Sequence, residues 1–265
     1  ALDSNTTGSN NTAIGADTLG ANITASNNTA VGQGALFNNT ASNNTAIGKD
    51  SLVANTSGTQ NVAVGGGAGG NNQTGNYNLY LGQDAGINAT GSTNTFVGQA
   101  SGSAVTTGSK NTILGRYNGN QGGLDIRTSS NNIVLSDGDG NPRVHVDTNG
   151  MTTFEKSVLL EEGTLTDGAT ISWDVRNDPV AKVTLGGNRT LSAPSNAAGS
   201  GQFISLLVNQ DGTGSRTVTW NAVYEFASDT APTLTSSASK GDLFVFRYNG
   251  TKWLEVGRNQ ALTLS

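Results

Sequence analysis

Small and apolar residues recur along the first half of the chain in short runs, each set between an asparagine and a glycine. Asn11-Thr12-Ala13-Ile14-Gly15 returns as Asn28–Gly32, Asn44–Gly48, Asn61–Gly65, Asn78–Gly82, Asn94–Gly98 and Asn111–Gly115, at intervals of 16 or 17 residues. Within a run the faces alternate, Thr12 and Ile14 on one side and Ala13 and Gly15 on the other, which predicts a short strand. Beyond each Gly a stretch of Asn, Thr, Ser and Gly supplies turns and left-handed positions. Each copy therefore predicts a coil of two short strands joined by two turns. A unit this short cannot bury its own apolar residues, so stacking is its route to a core. The pattern predicts a parallel β-solenoid over residues 1–118. With coils spaced about 4.8 Å apart, Asn11 to Asn132 would span on the order of 34 Å.

Bulk is exchanged inside the coils. Four residues beyond each Gly, or its equivalent, stand Leu2, Leu19, Leu36, Leu52, Gly69, Gly86 and Gly102. Later in the same coils stand Ala13, Ala30, Ala46, Ala63, Tyr80, Phe96 and Ile113. Leu accompanies Ala, and Gly accompanies a large residue. Cores tolerate exchanges that hold total volume, so the two positions are expected to share one packed layer. The aligned asparagines overlap Asn-x-Thr acceptor sequons. A hydrogen-bonded ladder is the preferred reading, because a glycan on every coil would crowd neighbouring chains.

The period breaks after Asn111, and the next aligned asparagine is Asn132. Asn132 to Leu135 predicts a last strand. Asp137-Gly138-Asp139-Gly140-Asn141 is a turn signal, Arg143 to Asp147 alternates, and Thr148-Asn149-Gly150 turns again. Residues 119–156 are thus expected to form a transition strand and a β-hairpin neck. Residues 157–265 predict strands near 169–175, 181–185, 202–209, 216–220, 242–248 and 252–258. Short alternating runs between Gly, Asn, Asp and Pro argue for an antiparallel β-sandwich. The expected fold class is all-β throughout.

Composition narrows the function. Only 12% of residues are charged, the net charge is −5 and no basic stripe is present, which argues against nucleic acid as a partner. There is no cysteine. No apolar run reaches the roughly 18–20 residues of a membrane-spanning helix, so membrane insertion is not expected. A coil of 16 or 17 residues has too thin a core to stabilise one chain alone, so lateral association is expected.

The Asn-x-Ala-Ile/Val-Gly phrase at this spacing resembles the head repeats of YadA-type trimeric autotransporter adhesins and similar repeats in bacteriophage tail fibres. The resemblance covers about residues 1 to 115. It implies a left-handed parallel β-roll and a homotrimer, the partners being two further copies of the chain. Tyr80, Phe96 and Ile113 depart from the small residues of that pattern. Gly187–Leu191, Gly214–Trp220 and Gly241 through Trp253 resemble a β-sandwich at the C-terminal ends of phage tail fibres, over about residues 157 to 260. That likeness implies a distal domain touching the host surface, and it favours a phage tail fibre on the virion over the passenger region of a bacterial surface adhesin. Ala1-Leu2 falls in mid-repeat, so the chain reads as the C-terminal piece of a longer polypeptide. The preceding part would hold the anchor and contact other tail or baseplate proteins.

Each candidate site has a plain alternative. His145, the single histidine, lies between Val144 and Val146 on the expected outer face of the hairpin. It reads as an exposed residue, with an axial metal ligand as the functional alternative. Asp137, Asp139 and Asn141 open like a calcium loop, but Pro142 stands where Gly is required, and turn chemistry is preferred. A polysaccharide-degrading spike would need paired carboxylates, and nothing in the sequence pairs Glu161, Glu162, Asp174 or Glu225. No enzyme activity and no cofactor are expected. For a host glycan or protein receptor the candidates are Tyr224, Tyr248, Trp253, Lys252 and Arg216, with Trp220 beside them. Trp220 and Trp253 also fit core positions. The loops 212–216 and 248–252 are the stronger candidates, since loops vary freely on a fixed scaffold.

Overall fold

A computed structural model of the chain describes residues 1–155 and 158–263. It divides into two compact units, Ala1–Ser157 and Val158–Ser265. Both are β structure, with a single 3-10 turn at Ala227–Asp229 among the described residues.

The first unit is the β-solenoid. Strands β1 (Thr12–Ile14), β2 (Thr29–Val31), β3 (Thr45–Ile47), β4 (Val62–Val64), β5 (Leu79–Leu81), β6 (Thr95–Val97) and β7 (Thr112–Leu114) stack in parallel, each residue on its counterpart in the next coil. After a two-strand excursion, β8 (Asn120–Gln121) and β9 (Leu124–Asp125), strand β10 (Ile133–Ser136) resumes the stack on β7. Strands β11 (Pro142–Val146) and β12 (Thr152–Phe154) then turn back antiparallel and extend the same sheet to ten strands. The predicted hairpin is therefore continuous with the solenoid sheet.

The predicted second strand of each coil is replaced by turns. Leu19, Leu36 and Leu52 sit there at φ of 50, 53 and 50°, in the left-handed region. Gly69, Gly86 and Gly102 continue the row at φ of 60, 59 and 62°. A backbone held left-handed at every coil cannot pleat into a strand.

The exchange of bulk is a single packed layer. Leu19, Leu36, Leu52, Ala30, Ala46, Ala63, Tyr80, Phe96 and Ile113 are all fully buried in one core. A Cβ on Gly69 or Gly86 would lie 2.6 or 2.4 Å from the Tyr80 ring, and one on Gly102 would lie 2.4 Å from the Phe96 ring. The aromatic rings occupy the space that the leucines fill in the earlier coils. Burial raises the Tyr80 phenol pKa, and its hydroxyl is without a partner.

The aligned asparagines form the ladder. Each Oδ1 accepts the backbone N–H of the next asparagine, from Asn11 through Asn28, Asn44, Asn61, Asn78, Asn94 and Asn111 to Asn132, at 2.8–3.0 Å. Several Nδ2 groups bond the carbonyl of the adjoining coil, as Asn61 does to Gly75 at 2.8 Å. In the sequons that end on Thr12, Thr29 and Thr45, the acceptor is the exposed residue before the aligned asparagine, Asn10, Asn27 or Asn43, each at positive φ. The glycine that closes each phrase is required twice. Gly48 has φ of 132°, and a Cβ there would lie 2.5 Å from the Gly65 backbone.

The second unit contains a mixed six-stranded sheet, β13 (Glu162–Thr164), β15 (Val180–Leu185), β17 (Phe203–Gln210), β20 (Lys240–Tyr248), β21 (Trp253–Thr263) and β19 (Tyr224–Glu225) in spatial order. A three-stranded parallel sheet holds β14 (Thr170–Ile171), β16 (Arg189–Leu191) and β18 (Val218–Trp220). Ile171 and Leu191 from the small sheet share one core with Val183, Leu206, Phe244 and Phe246 from the large one.

The pairing differs from the antiparallel expectation. From β13 to β19 the chain alternates between the two sheets, so each return to a sheet runs parallel to the last visit. Among the described residues, only β17–β20 and β20–β21 pair antiparallel within the large sheet. Period-two alternation marks a strand with one buried face and does not carry its direction.

Candidate functional site

Two surfaces, one on each unit, hold the exposed apolar side chains and the receptor candidates. The first is on the solenoid sheet. The middle residue of each coil strand points inward, and the third points out. Ile14, Val31, Ile47, Val64, Leu81, Val97, Leu114, Leu135, Val144 and Phe154 are in register across all ten strands. Ile14 is 60% exposed, Leu81 42%, Leu114 43% and Phe154 54%. The stripe holds no charge, no proline and no polar side chain.

His145 lies on the other face of this sheet, which corrects its expected outward placement. It pairs with the buried Val134, is half-buried, and its Nε2 is 3.1 Å from Asn132 Oδ1. Asn132 ends the ladder with no further asparagine N–H to accept, so the imidazole caps its Oδ1 when Nε2 carries a proton. Asp137 closes the first hairpin turn. Its Oδ1 accepts the N–H groups of Asp139 and Asn141 at 3.0 and 2.9 Å, and its Oδ2 accepts from Arg143. The Asn141 N–H, with Arg143 behind it, holds the Asp137 carboxyl down at about 2. Asp139 offers its carbonyl to Gln121 at 2.7 Å. These bonds are those of a turn. Among the described residues no three His, Cys, Asp or Glu side chains converge as a metal group would require.

The second surface is on the second unit. Trp253 and Tyr224 belong to its core, 2% and 5% exposed. Burial raises the Tyr224 phenol, which donates to the Ser192 carbonyl at 3.2 Å. Parallel pairing of Tyr224 with Trp253 explains why both are covered. Tyr248 is half-buried and lies over Trp253, ring centres 4.7 Å apart, with its hydroxyl on Gly250 O at 2.9 Å.

Arg216 stands elsewhere. Its Nε and Nη2 donate to Asp211 Oδ2 at 3.1 and 2.9 Å, and Gln210 brackets its backbone at 2.8 and 2.9 Å. The guanidinium holds Asp211 at about 2. It borders a groove of about 300 Å³ with Thr217, Pro232 and Leu234.

Lys252 meets a different set. Its Nζ donates to Ala222 O at 2.5 Å and lies 3.3 Å from the Glu225 carboxylate. Trp220, Asn221, Tyr224, Glu225, Asp229 and Lys252 are among the residues lining a cavity of about 230 Å³. Of the five receptor candidates the structure thus brings Tyr224 and Lys252 together, and sets Arg216 and Tyr248 outside this cavity. Glu225 and Asp229 were not foreseen as part of it. The alternation of aromatics and carboxylates over 220–229 was the available signal.

The carboxylates weighed for hydrolysis have other occupations. Glu162 pairs with Lys182 at 2.8 Å, Glu225 with Lys252, and Asp174 accepts from Asn196 at 2.8 Å. No helix among the described residues is long and apolar enough to cross a membrane.

A stack of short coils and a separate two-sheet unit define an all-β, solenoid-bearing protein. Within it, residues 167–253 match the family model described as "Putative phage tail fibre C-terminal domain". That match supports a structural, tail-fibre role and a virion-associated location. No curated protein and no solved structure matches the chain.

Proposed function

We propose that the chain is a non-enzymatic segment of a phage tail fibre in which the solenoid is a homotrimeric shaft and the second unit contacts the host cell surface. The observation that carries the reading is the family match over 167–253, which falls on the unit that holds the receptor candidates. The ten-residue apolar stripe supports lateral association, because exposed apolar patches beyond a few hundred Å² mark interaction surfaces. Lys252, Tyr248 and Arg216 remain the exposed or half-exposed candidates for receptor contact. Tyr224 lines the cavity with Lys252, Trp253 lies beneath Tyr248, and Arg216 stands apart from both. Three copies per fibre and several fibres per particle would let weak single contacts hold a virion.

Removal of residues 158–265 from the fibre gene is the direct test. Particles carrying the truncated fibre should assemble and lose adsorption to cells that the parent virion binds. Unchanged adsorption would place the receptor-contacting surface elsewhere.

A further inference from the structure

Trp220 ends β18 at the rim of the 230 Å³ cavity, and the surrounding side chains are unlike those of the unit's other grooves. Its ring is held by the edges and faces of four aromatics, Phe244 at 4.9 Å, Phe226 at 5.2 Å, Tyr224 at 5.4 Å and Phe246 at 5.9 Å between ring centres. The residue is half-buried, yet its Nε1–H is buried and has no acceptor. The polar end of the indole is turned inward, so the ring presents carbon to the cavity.

The same lining carries polar groups. Glu225 and Lys252 form an ion pair at 3.3 Å, and Asn221 and Asp229 line the cavity with them, beside Ala222, Phe226 and Ala231. Asp229 is exposed, and with Ser228 it forms two successive left-handed residues at φ of 51 and 58°. An aromatic carbon surface in one cavity with carboxylate and amide acceptors is the chemistry that recognises a sugar ring. In such a site the ring's C–H face would lie on the indole and its hydroxyls would donate to Glu225 and Asp229. The cavity is smaller than the roughly 300–1,000 Å³ of drug-sized sites, which suits one pyranose of a longer chain. Two carboxylates against one lysine disfavour uronic, sialic or phosphorylated units.

We infer that this cavity is a saccharide subsite for a neutral hexose unit of a cell-surface polysaccharide, with Trp220 as the stacking platform and Glu225, Asp229 and Asn221 as hydroxyl partners. The inference rests on the reading of the second unit as the receptor-contacting part.

The test is tryptophan fluorescence of the full chain titrated with soluble glucan, galactan, mannan and N-acetylglucosamine oligomers, with polygalacturonate as the acidic counterpart. At least one neutral oligomer should shift the emission saturably, and polygalacturonate should not. Asp229→Asn keeps a residue at ease with positive φ, and Glu225→Gln keeps the side-chain shape. Each should weaken binding about tenfold or more, the loss of one charged hydrogen bond, with the far-UV spectrum unchanged. No response to any neutral oligomer, or affinity equal to the parent's in both variants, overturns the subsite.

Adsorption to host cells separates this from the broader reading. If the chain binds cells, and that binding survives periodate but is abolished by protease, the receptor is a protein and the subsite fails while the attachment role stands. If the chain binds no cells that the parent virion adsorbs to, the attachment role itself fails.

Discussion

A leucine at positive φ is a costly residue, by roughly 1–2 kcal/mol. The solenoid carries one at Leu19, Leu36 and Leu52, each fully buried, and burial of such a side chain returns roughly 1.5–3 kcal/mol. From Gly69 onward the same backbone conformation is kept by glycine, and Tyr80 and Phe96 supply the volume from the facing strand. Two solutions to one packing problem therefore follow each other along a single stack. They should be interconvertible as a pair and incompatible singly. Gly69→Leu alone drives a side chain into the Tyr80 ring and should cost about 2–4 kcal/mol, and Tyr80→Ala alone leaves a cavity worth roughly 3–5 kcal/mol. The double variant restores the earlier coils' arrangement. Urea unfolding should show it at least about 1 kcal/mol more stable than the sum of the two losses predicts. Strict additivity would mean that the two positions do not share a layer.

At the scale of elements, what was legible in the sequence is what repeats. Strand positions and inward faces followed from the phrase itself, because Ala13, Ala30 and Ala46 alternate with outward Thr and Ile or Val. The exchange of Leu for Gly was legible because its partner changed at the same coil. The second leg of each coil was not, since nothing in a Leu marks it as left-handed until the stack imposes that conformation. A second inner row was missed for a related reason. Asn22, Asn39, Asn55 and Asn72 are buried beside the main ladder, with Asn55 Nδ2 on Asn39 Oδ1 at 2.7 Å, but they stand within Asn-rich loops that hide them. In the second unit strand direction was illegible, and with it the pairing that buries Tyr224 and Trp253. His145 reads as a surface residue until β11 is placed in register with β10.

The hairpins that extend the sheet each turn on one aspartate, and this gives them an acid-sensitive term. Asp137 is held at about 2, chiefly by the Asn141 N–H, and Asp147 is lowered chiefly by the Met151 N–H. Both folded-state values lie below the roughly 3.9 of an unfolded aspartate, so the stabilisation is complete above about pH 5 and is lost as pH falls towards 2. Asp137→Asn keeps an oxygen acceptor for the backbone but removes the charge facing Arg143. Thermal unfolding should find the variant less stable than the parent at pH 6 and should find the two converging near pH 2. A gap of constant size across that range would assign the loss to something other than the carboxylate.

At the scale of the whole molecule, the composition leaves little to keep copies apart. The outer stripe from Ile14 to Phe154 runs across ten strands without a charge, whereas monomeric proteins rarely expose contiguous apolar patches larger than a few hundred Å². A single side chain in such a stripe contributes little, but the register repeats the contact at every coil, so association should be strong and sensitive to one buried charge. Light scattering of the parent chain should give a mass near three times 26.9 kDa. Leu81→Glu or Leu114→Glu would place an unpaired carboxylate in the middle of the contact, where it must be desolvated without a partner. Both should shift the mass towards 26.9 kDa, whereas Gln33→Glu, exposed on a turn of the coil, should leave it unchanged. A parent chain that is already monomeric at micromolar concentration would remove the trimeric shaft from the proposal. A mass unaffected by either leucine substitution would move the contact to another face of the solenoid.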